Sequence, residues 1–194
     1  MKSHISKAVS NCFAALRRLR GIHRLASQPV LLSLVTSLIM TRLDYGSATL
    51  AGLPDHLLDS LQSVLNAAAG LVCYAQKYDH ITHLLQDLHW LRVPERIQFR
   101  LAALLFGCRN NMAPPYLLHD LQWTDEAESL RRLRSGSQQR LIVPRTRLRT
   151  IGDRSFRVMA AHAWNSIPTS VTTATSLASF KKQLKSFLFT KSFP

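Results

Sequence analysis

Glycine and cysteine are scarce in this chain of 194 residues. Seven scattered glycines exclude the Gly-rich loops that cradle phosphates or dinucleotides. The three cysteines, Cys12, Cys73 and Cys108, form no Cys-x-x-Cys pair, so neither a disulfide framework nor a zinc ribbon is indicated. Each is interpreted as a small buried hydrophobe. A reducing intracellular compartment, nuclear or cytoplasmic, is therefore expected.

The acids lack the grouping that catalysis needs. Two-metal polymerases and nucleases require two or three acids that converge on the ions, and this chain has no adjacent pair of aspartates. The cluster Asp125, Glu126 and Glu128 lies in a polar stretch and is interpreted as a solvated loop or helix start. Asp44 is a lone acid. No catalytic residue is predicted.

Histidines occur together once, as His80, His83 and His89. A zinc site needs three or four converging ligands, and no cysteine pair lies nearby to complete one. Capping and packing roles at the ends of a short helix explain them better. We predict no metal site and no cofactor.

The longest apolar run covers residues 30–40 and is interrupted by Ser33, Thr36 and Ser37. A helix needs about 20 apolar residues to cross a bilayer. No membrane partner is expected.

Hydrophobic spacing of the helical kind recurs along the chain and predicts an all-α helical bundle. The expected helices cover residues 5–20, 30–39, 55–70, 81–88, 94–109, 156–164 and 176–189. Residues 131–150 break this pattern and are interpreted as a loop or irregular hairpin. Two domains follow, a helical one over 1–128 and a basic, partly irregular extension over 129–194.

Positive charge is the strongest signal in the composition, with 25 basic residues against 11 acids and a net charge of +14. Residues 1–43 contain no acid, and residues 129–194 contain only Asp153. Such basic ends favour a polyanionic partner, for which the backbone of RNA or DNA ranks ahead of an acidic membrane surface. Arginine suits bidentate phosphate contacts. The candidate binding residues are Arg17, Arg18, Arg20, Arg131, Arg132, Arg134, Arg145, Arg147, Arg149, Lys181, Lys182 and Lys185.

Two alternatives stay open for this charge. Surface arginines can simply keep a domain in solution, or they can meet acidic protein partners in a structural or protein-interaction domain. No RNA-recognition or zinc-finger signature accompanies the arginines, so no sequence specificity is predicted. The three tryptophans, Trp90, Trp123 and Trp164, are interpreted as core anchors rather than base-stacking platforms.

Several short strings occur in a characteristic order along nearly the whole chain, from about residue 5 to residue 189. They are Arg42-Leu43-Asp44-Tyr45, Ala51-Gly52-Leu53-Pro54, Leu61-Gln62-Ser63-Val64-Leu65-Asn66-Ala67-Ala68-Ala69, Leu88-His89-Trp90-Leu91, Ala113-Pro114-Pro115-Tyr116-Leu117, Leu133-Arg134-Ser135, Val143-Pro144-Arg145, Ala163-Trp164-Asn165-Ser166-Ile167-Pro168 and Phe180-Lys181-Lys182-Gln183-Leu184-Lys185. Together they resemble the carboxyl-terminal region of polyproteins from non-LTR (LINE-type, jockey-like) retrotransposons.

This resemblance implies the helical thumb and the basic post-palm region of a reverse transcriptase, without the palm that carries the catalytic aspartates. The thumb of that family is thought to grip the template–primer duplex, and the missing palm would be a further partner. An activity restored by a palm supplied in trans is a third hypothesis.

The chain departs from the family pattern at two positions. Gly46 stands where a cysteine is common, and Gly70 stands where an arginine is common. The loss of a basic side chain at position 70 weakens the expectation that the helix containing it contacts nucleic acid.

Overall fold

The computed structural model describes residues 2–76, 78–124, 140–147 and 152–193. Its regular elements are helices, which confirms the predicted all-α class. The chain divides into two compact units, each described by itself below. Unit 1 comprises residues 1–47, 53–96 and 191–194, and unit 2 comprises residues 48–52 and 97–190. No helix among the described residues is long and apolar enough to cross a membrane.

Unit 1 is built from the helices at the start of the chain. They are α1 (Lys2–Ile22), α2 (Gln28–Val35), a π-helical turn (Thr36–Met40), α3 (Thr41–Asp44), α4 (Asp55–Val72) and α5 (Ile81–Asp87). A further helix, α6 (Val93–Arg109), begins in unit 1 and continues into unit 2. The segments 2–22, 55–72 and 81–87 match the predicted helices within a few residues, because their apolar side chains recur at helical spacing.

Helix α4 lies at the centre of unit 1, as its run of small side chains predicts. It packs against α1, α2 and α5. Ala68 and Ala69 are fully buried, and small residues at these positions let neighbouring helices approach closely. A Cβ atom added at Gly70 would meet only the Cβ of Ala75, at an ordinary 3.7 Å. The helix therefore has room for a side chain at position 70.

The π-helical turn joins α2 and α3 into one continuous helix, named here the α2–α3 helix (residues 28–44). Four of its buried side chains, Leu31, Val35, Ile39 and Leu43, are spaced by four residues, and Met40 beside Ile39 is buried as well. In a regular α-helix three such steps would drift by about 120° around the axis. A π turn takes up one extra residue, so the four side chains stay on one buried face.

One side chain compensates for the hydrogen-bond shift inside this turn. The backbone N–H of Thr41 donates to the carbonyl of Thr36, five residues back, and not to that of Ser37. The Thr41 hydroxyl donates to the Ser37 carbonyl instead, at 2.5 Å. The Thr41 side chain thus replaces the backbone hydrogen bond that the Ser37 carbonyl would accept in a regular α-helix.

Replacing Thr41 by valine is expected to lower the free energy of unfolding by about 1 kcal/mol, because the isosteric side chain cannot donate to Ser37. The measurement is urea unfolding followed by far-UV circular dichroism. Thr82→Val, at an exposed position of α5, is the matched control and should change stability by less than about 0.5 kcal/mol. Equal stability of Thr41→Val and the wild type would show that the hydroxyl does not support the turn.

Unit 2 contains most of α6, α7 (Pro115–His119), a 3₁₀ turn (Gly152–Arg154), α8 (Phe156–Asn165), α9 (Thr169–Thr172) and most of α10 (Leu177–Ser192). The spacing of α10 predicts an inward face of Leu177, Phe180, Leu184, Phe187 and Leu188. Phe180, Leu184 and Leu188 are buried, whereas Leu177 and Phe187 are half-buried. The expected boundary at 128/129 lies outside the described residues, so the division into 1–128 and 129–194 stays a prediction.

An aromatic cluster forms the core of unit 2. The Trp123 and Trp164 rings meet edge to face, with centroids 5.4 Å apart. Phe180 stacks on Trp164 at 6.0 Å and on Phe106 at 4.3 Å. Both tryptophans are 1% exposed. The interpretation of Trp123 and Trp164 as core anchors is therefore confirmed, whereas Trp90 is half-buried.

Residues 140–147 are irregular and are held to α8 by one amide side chain. The Asn165 side chain accepts from the Leu141 N–H at 2.9 Å and donates to the Leu141 carbonyl at 2.8 Å. Leu141 also forms an isolated antiparallel bridge with Trp123. The predicted irregular character of this stretch is confirmed for the described residues 140–147.

Candidate nucleic-acid interface

The carboxyl-terminal half of α1 carries three exposed arginines, Arg17, Arg18 and Arg20. The opposite face of α1 is buried through Leu16 and Leu19. Because consecutive residues of an α-helix are rotated by about 100°, the arginines point along two sides of the helix. The first side faces α4, and the second faces the α2–α3 helix.

Arg17 and Arg20 lie on the side that faces α4. Together with Phe13, Leu16, Ala67 and Leu71 they line a shallow groove of about 120 Å³. Gly70 precedes Leu71 on α4 and is not among the residues that line this groove.

Arg18 lies on the side that faces the α2–α3 helix. It lines a larger groove of about 390 Å³ with Asn11, Ala14, Ala15, Leu19, Leu38 and Arg42. Arg42 comes from α3, where its Nη1 donates to the Asn11 carbonyl at 3.5 Å. Two guanidinium groups from different helices therefore meet at one groove.

The nearest acid in the sequence does not neutralise these arginines. Asp44 binds Arg96 with both carboxylate oxygens, through Nη2 contacts of 2.8 and 2.9 Å and an Nε contact of 3.2 Å. Their side chains are only 15% and 20% exposed. Residues 1–43 contain no acid, and no acidic side chain is among the residues that line the two grooves.

The remaining candidate residues fall in unit 2 or outside the described ranges. Arg145, Arg147, Lys181, Lys182 and Lys185 belong to unit 2 and are exposed. The three lysines are exposed, as the helical spacing of α10 predicts. Outside the described residues lie Arg131, Arg132, Arg134 and Arg149.

Two further arginines of unit 2, outside the candidate set, make structural contacts. The guanidinium of Arg109 lies over the Trp123 ring, 4.5 Å from its centroid. Arg157 donates from Nε to the Asp120 carbonyl at 2.9 Å. Part of the arginine content therefore serves packing and loop anchoring.

The cysteines and histidines build no reactive centre among the described residues. No group of three or more His, Cys, Asp or Glu side chains in this part of the chain could hold a metal ion. Burial raises the pKa of all three thiols, and the nearby Arg42 offsets part of this rise at Cys12. Cys12 and Cys108 are buried as predicted, and Cys73 is half-buried. A raised pKa keeps these thiols protonated at neutral pH.

Comparisons of the chain with protein-family models, with curated proteins and with solved structures found no match.

Sequence reasoning found the arginines of α1 but missed Arg42 as their neighbour. In the sequence Arg42 is 24 positions from Arg18, and only the packing of the α2–α3 helix on α1 brings the two to one groove. The available signal was the spacing of four between Leu31, Val35, Ile39 and Leu43. This spacing determines which face of the helix is buried, and therefore which side of α1 Arg42 reaches.

Proposed function

We propose that this chain binds RNA or DNA through the phosphate backbone, without sequence specificity, inside the cell in the nucleus or the cytoplasm. It corresponds in this proposal to the thumb and post-palm region of a retrotransposon reverse transcriptase, and it carries out no catalysis alone. The observation that carries the proposal is the acid-free arginine surface of α1, on which Arg17, Arg18 and Arg20 are all exposed.

Physical chemistry connects this surface to phosphate. A guanidinium presents a planar fork of donors that matches two phosphate oxygens. Each neutralised phosphate releases condensed counterions, so the binding should weaken steeply with salt. Contacts of this kind carry no base information, which agrees with the lack of a specificity motif.

The test replaces Arg17, Arg18 and Arg20 by glutamine and measures binding to a fluorescent primer–template by anisotropy at several salt concentrations. At 50 mM salt the affinity should fall on the order of 30-fold, and the log–log salt slope should become shallower by about 2–3, since about three phosphate contacts are lost.

A charge-matched comparison uses the three exposed lysines of α10. Lys181→Gln, Lys182→Gln and Lys185→Gln together remove the same charge, and should weaken binding by only about threefold, because exposed ammonium groups act as screened point charges. Equal losses in the two triple variants would contradict the assignment to α1. No binding of the wild type even at low salt would overturn the proposed function.

A variant that is expected to bind nucleic acid more tightly provides an independent test. Gly70→Arg supplies the cation of the family pattern one position before Leu71, which lines the groove of Arg17 and Arg20, and an added Cβ there makes only an ordinary contact with Ala75. The affinity of this variant for the primer–template should rise severalfold, and the log–log salt slope measured on duplex should steepen by about 0.9. Gly70→Ala, which stabilises the helix equally without adding charge, is the control and should leave the affinity unchanged.

A second function, protein binding, is favoured by the apolar side chains around the connection between α1 and α2. Leu25 is 90% exposed, Val30 is 49% exposed and Ile22 is 44% exposed. Under the resemblance, the partner would be the palm domain. Leu25→Asp should abolish such an association, measured with a separately produced palm, and should leave primer–template affinity within about twofold of the wild type.

A further inference from the structure

The groove between α1 and the α2–α3 helix combines two chemistries. Arg18 and Arg42 supply guanidinium groups, and Ala14, Ala15 and Leu38 supply an apolar lining. Small-molecule sites commonly have volumes of about 300–1,000 Å³. At about 390 Å³ the groove is large enough for one compact ligand.

The π-helical turn contributes one wall of this groove. The α2–α3 helix has a second row of apolar side chains, Val30, Leu34 and Leu38, beside its buried row. Leu38 stays 39% exposed and lines the groove. After the extra residue of the turn, Arg42 lies against Asn11 of α1. π-helical turns are frequent at functional sites, because they re-aim the side chains that follow them.

Among the residues that the structure describes, no acid forms an ion pair with Arg42. Its contact with Asn11 is a long hydrogen bond to a carbonyl and uses one of the five N–H donors of the guanidinium. The closest acid in the sequence, Asp44, is occupied by Arg96. The groove therefore offers two cations and an apolar wall to whatever enters it.

A ligand that matches this pair of features has an anion at one end and a flat apolar face at the other. A nucleotide unit of a polynucleotide has this form, with its phosphate next to its base. A base can enter only if it is unstacked from its neighbours, which is the state that single strands offer. Acidic peptides supply the anions but no flat apolar face to cover Leu38.

We infer that the groove between α1 and the α2–α3 helix is a single-strand site that takes one unstacked nucleotide, with its phosphate on Arg18 and Arg42 and its base against Leu38, Ala14 and Ala15. This inference rests on the proposed function and adds a ligand to one part of its surface. The side of α1 that carries Arg17 and Arg20 contacts backbone phosphates of either strand type.

The experiment fills the groove without changing charge. Ala15→Leu adds an apolar branch on the groove wall, and its affinity for a fluorescent 12-nucleotide oligo-dT should fall about tenfold while its affinity for the same sequence as a duplex stays within twofold. Ala8→Leu is the matched control, because Ala8 lies two turns earlier on the same side of α1, is half-buried as Ala15 is, and does not line the groove. Thermal unfolding confirms that both variants are folded.

A charge variant tests the phosphate contact separately. Arg42→Gln should lower oligo-dT affinity about tenfold and make the salt slope shallower by about 0.7, the loss of one single-strand phosphate contact. Arg24→Gln removes the same charge near the end of α1 but outside the groove. It should weaken single-strand and duplex binding equally, by no more than about threefold.

The outcomes separate the two proposals. If Ala15→Leu and Arg42→Gln bind oligo-dT as tightly as the wild type, the nucleotide site is wrong and the backbone function stands. If polyglutamate of equal charge displaces oligo-dT as well as unlabelled oligo-dT does, the groove takes acidic peptide and the inference is overturned. If the wild type binds neither strand type at low salt, the proposed function fails together with the site.

Discussion

Asp44→Ala is expected to lower the free energy of unfolding by about 3–5 kcal/mol, because it leaves the guanidinium of Arg96 largely buried without its carboxylate. The pair is bidentate, and both side chains are at least four-fifths buried. Removing one partner of such a pair destabilises the protein by far more than the intact pair stabilises it, because the remaining charge stays desolvated. Urea unfolding followed by far-UV circular dichroism measures the change.

Two variants identify the cause of this loss. Asp59→Ala removes an exposed acid of α4 and should change stability by less than about 0.5 kcal/mol. The double variant Asp44→Leu with Arg96→Met replaces the pair by apolar side chains of similar size and should recover most of the stability. A double variant as unstable as Asp44→Ala would mean that Asp44 acts through some contact other than the ion pair.

Trp164→Ala is expected to lower the free energy of unfolding by about 3–5 kcal/mol, because it leaves a cavity in unit 2. Trp164 touches two other rings, Trp123 edge to face and Phe180 by stacking. The near-UV circular dichroism of the tryptophan pair should be lost in the same variant, because the T-shaped arrangement with Trp123 disappears. Thermal unfolding and near-UV spectra together report both effects.

Matched aromatic substitutions show whether burial decides this result. Trp164→Phe keeps a ring in the cluster and should cost less than half as much as the alanine variant. Tyr116→Ala removes a ring that is 69% exposed and should stay within about 0.5 kcal/mol of the wild type. A cost as large for Tyr116→Ala as for Trp164→Ala would refute the assignment of the core.

Much of the fold could be predicted from the sequence, because helical spacing of apolar residues is a local signal. Helix α10 is the clearest case, since Phe180, Leu184 and Leu188 are buried and the lysines between them are exposed. The end of α6 could also be predicted, because Asn111 and the nearby Pro114 are residue types that commonly end a helix. In the structure Asn111 adopts a positive φ of 54° after the last turn of α6.

The α2–α3 helix shows where local signals stop being sufficient. Its apolar stripe contains two rows, one with Val30 and Leu38 and one with Leu31 and Ile39, and spacing alone does not tell which row is buried. Packing against neighbouring helices buries Leu31 and Ile39 completely and leaves Val30 and Leu38 exposed. The π-helical turn follows from that tertiary choice, and so does the groove that contains Arg42.

The strings that carry the family resemblance turn out to contain the polar contacts that hold the units together internally. Asp44 pairs with Arg96, Gln62 accepts from the Val93 N–H at 2.9 Å, and Asn165 binds both backbone groups of Leu141. The partners of these side chains lie 24 to 52 positions away in the chain, a distance across which a single sequence gives no pairing signal. The sequence therefore predicted the positive charge of the candidate site, but not the groove that brings Arg18 and Arg42 together.

The order of the two units along the chain has a consequence for how the protein is made. Residues 191–193 belong to unit 1, and Phe193 lies under the guanidinium of Arg92 at 5.2 Å. Domains commonly fold in sequence order as the ribosome releases them. Here residues 97–190 must be synthesised between the main part of unit 1 and the residues that complete it. The arginine surface of α1 is thus synthesised before the unit that carries it can be complete.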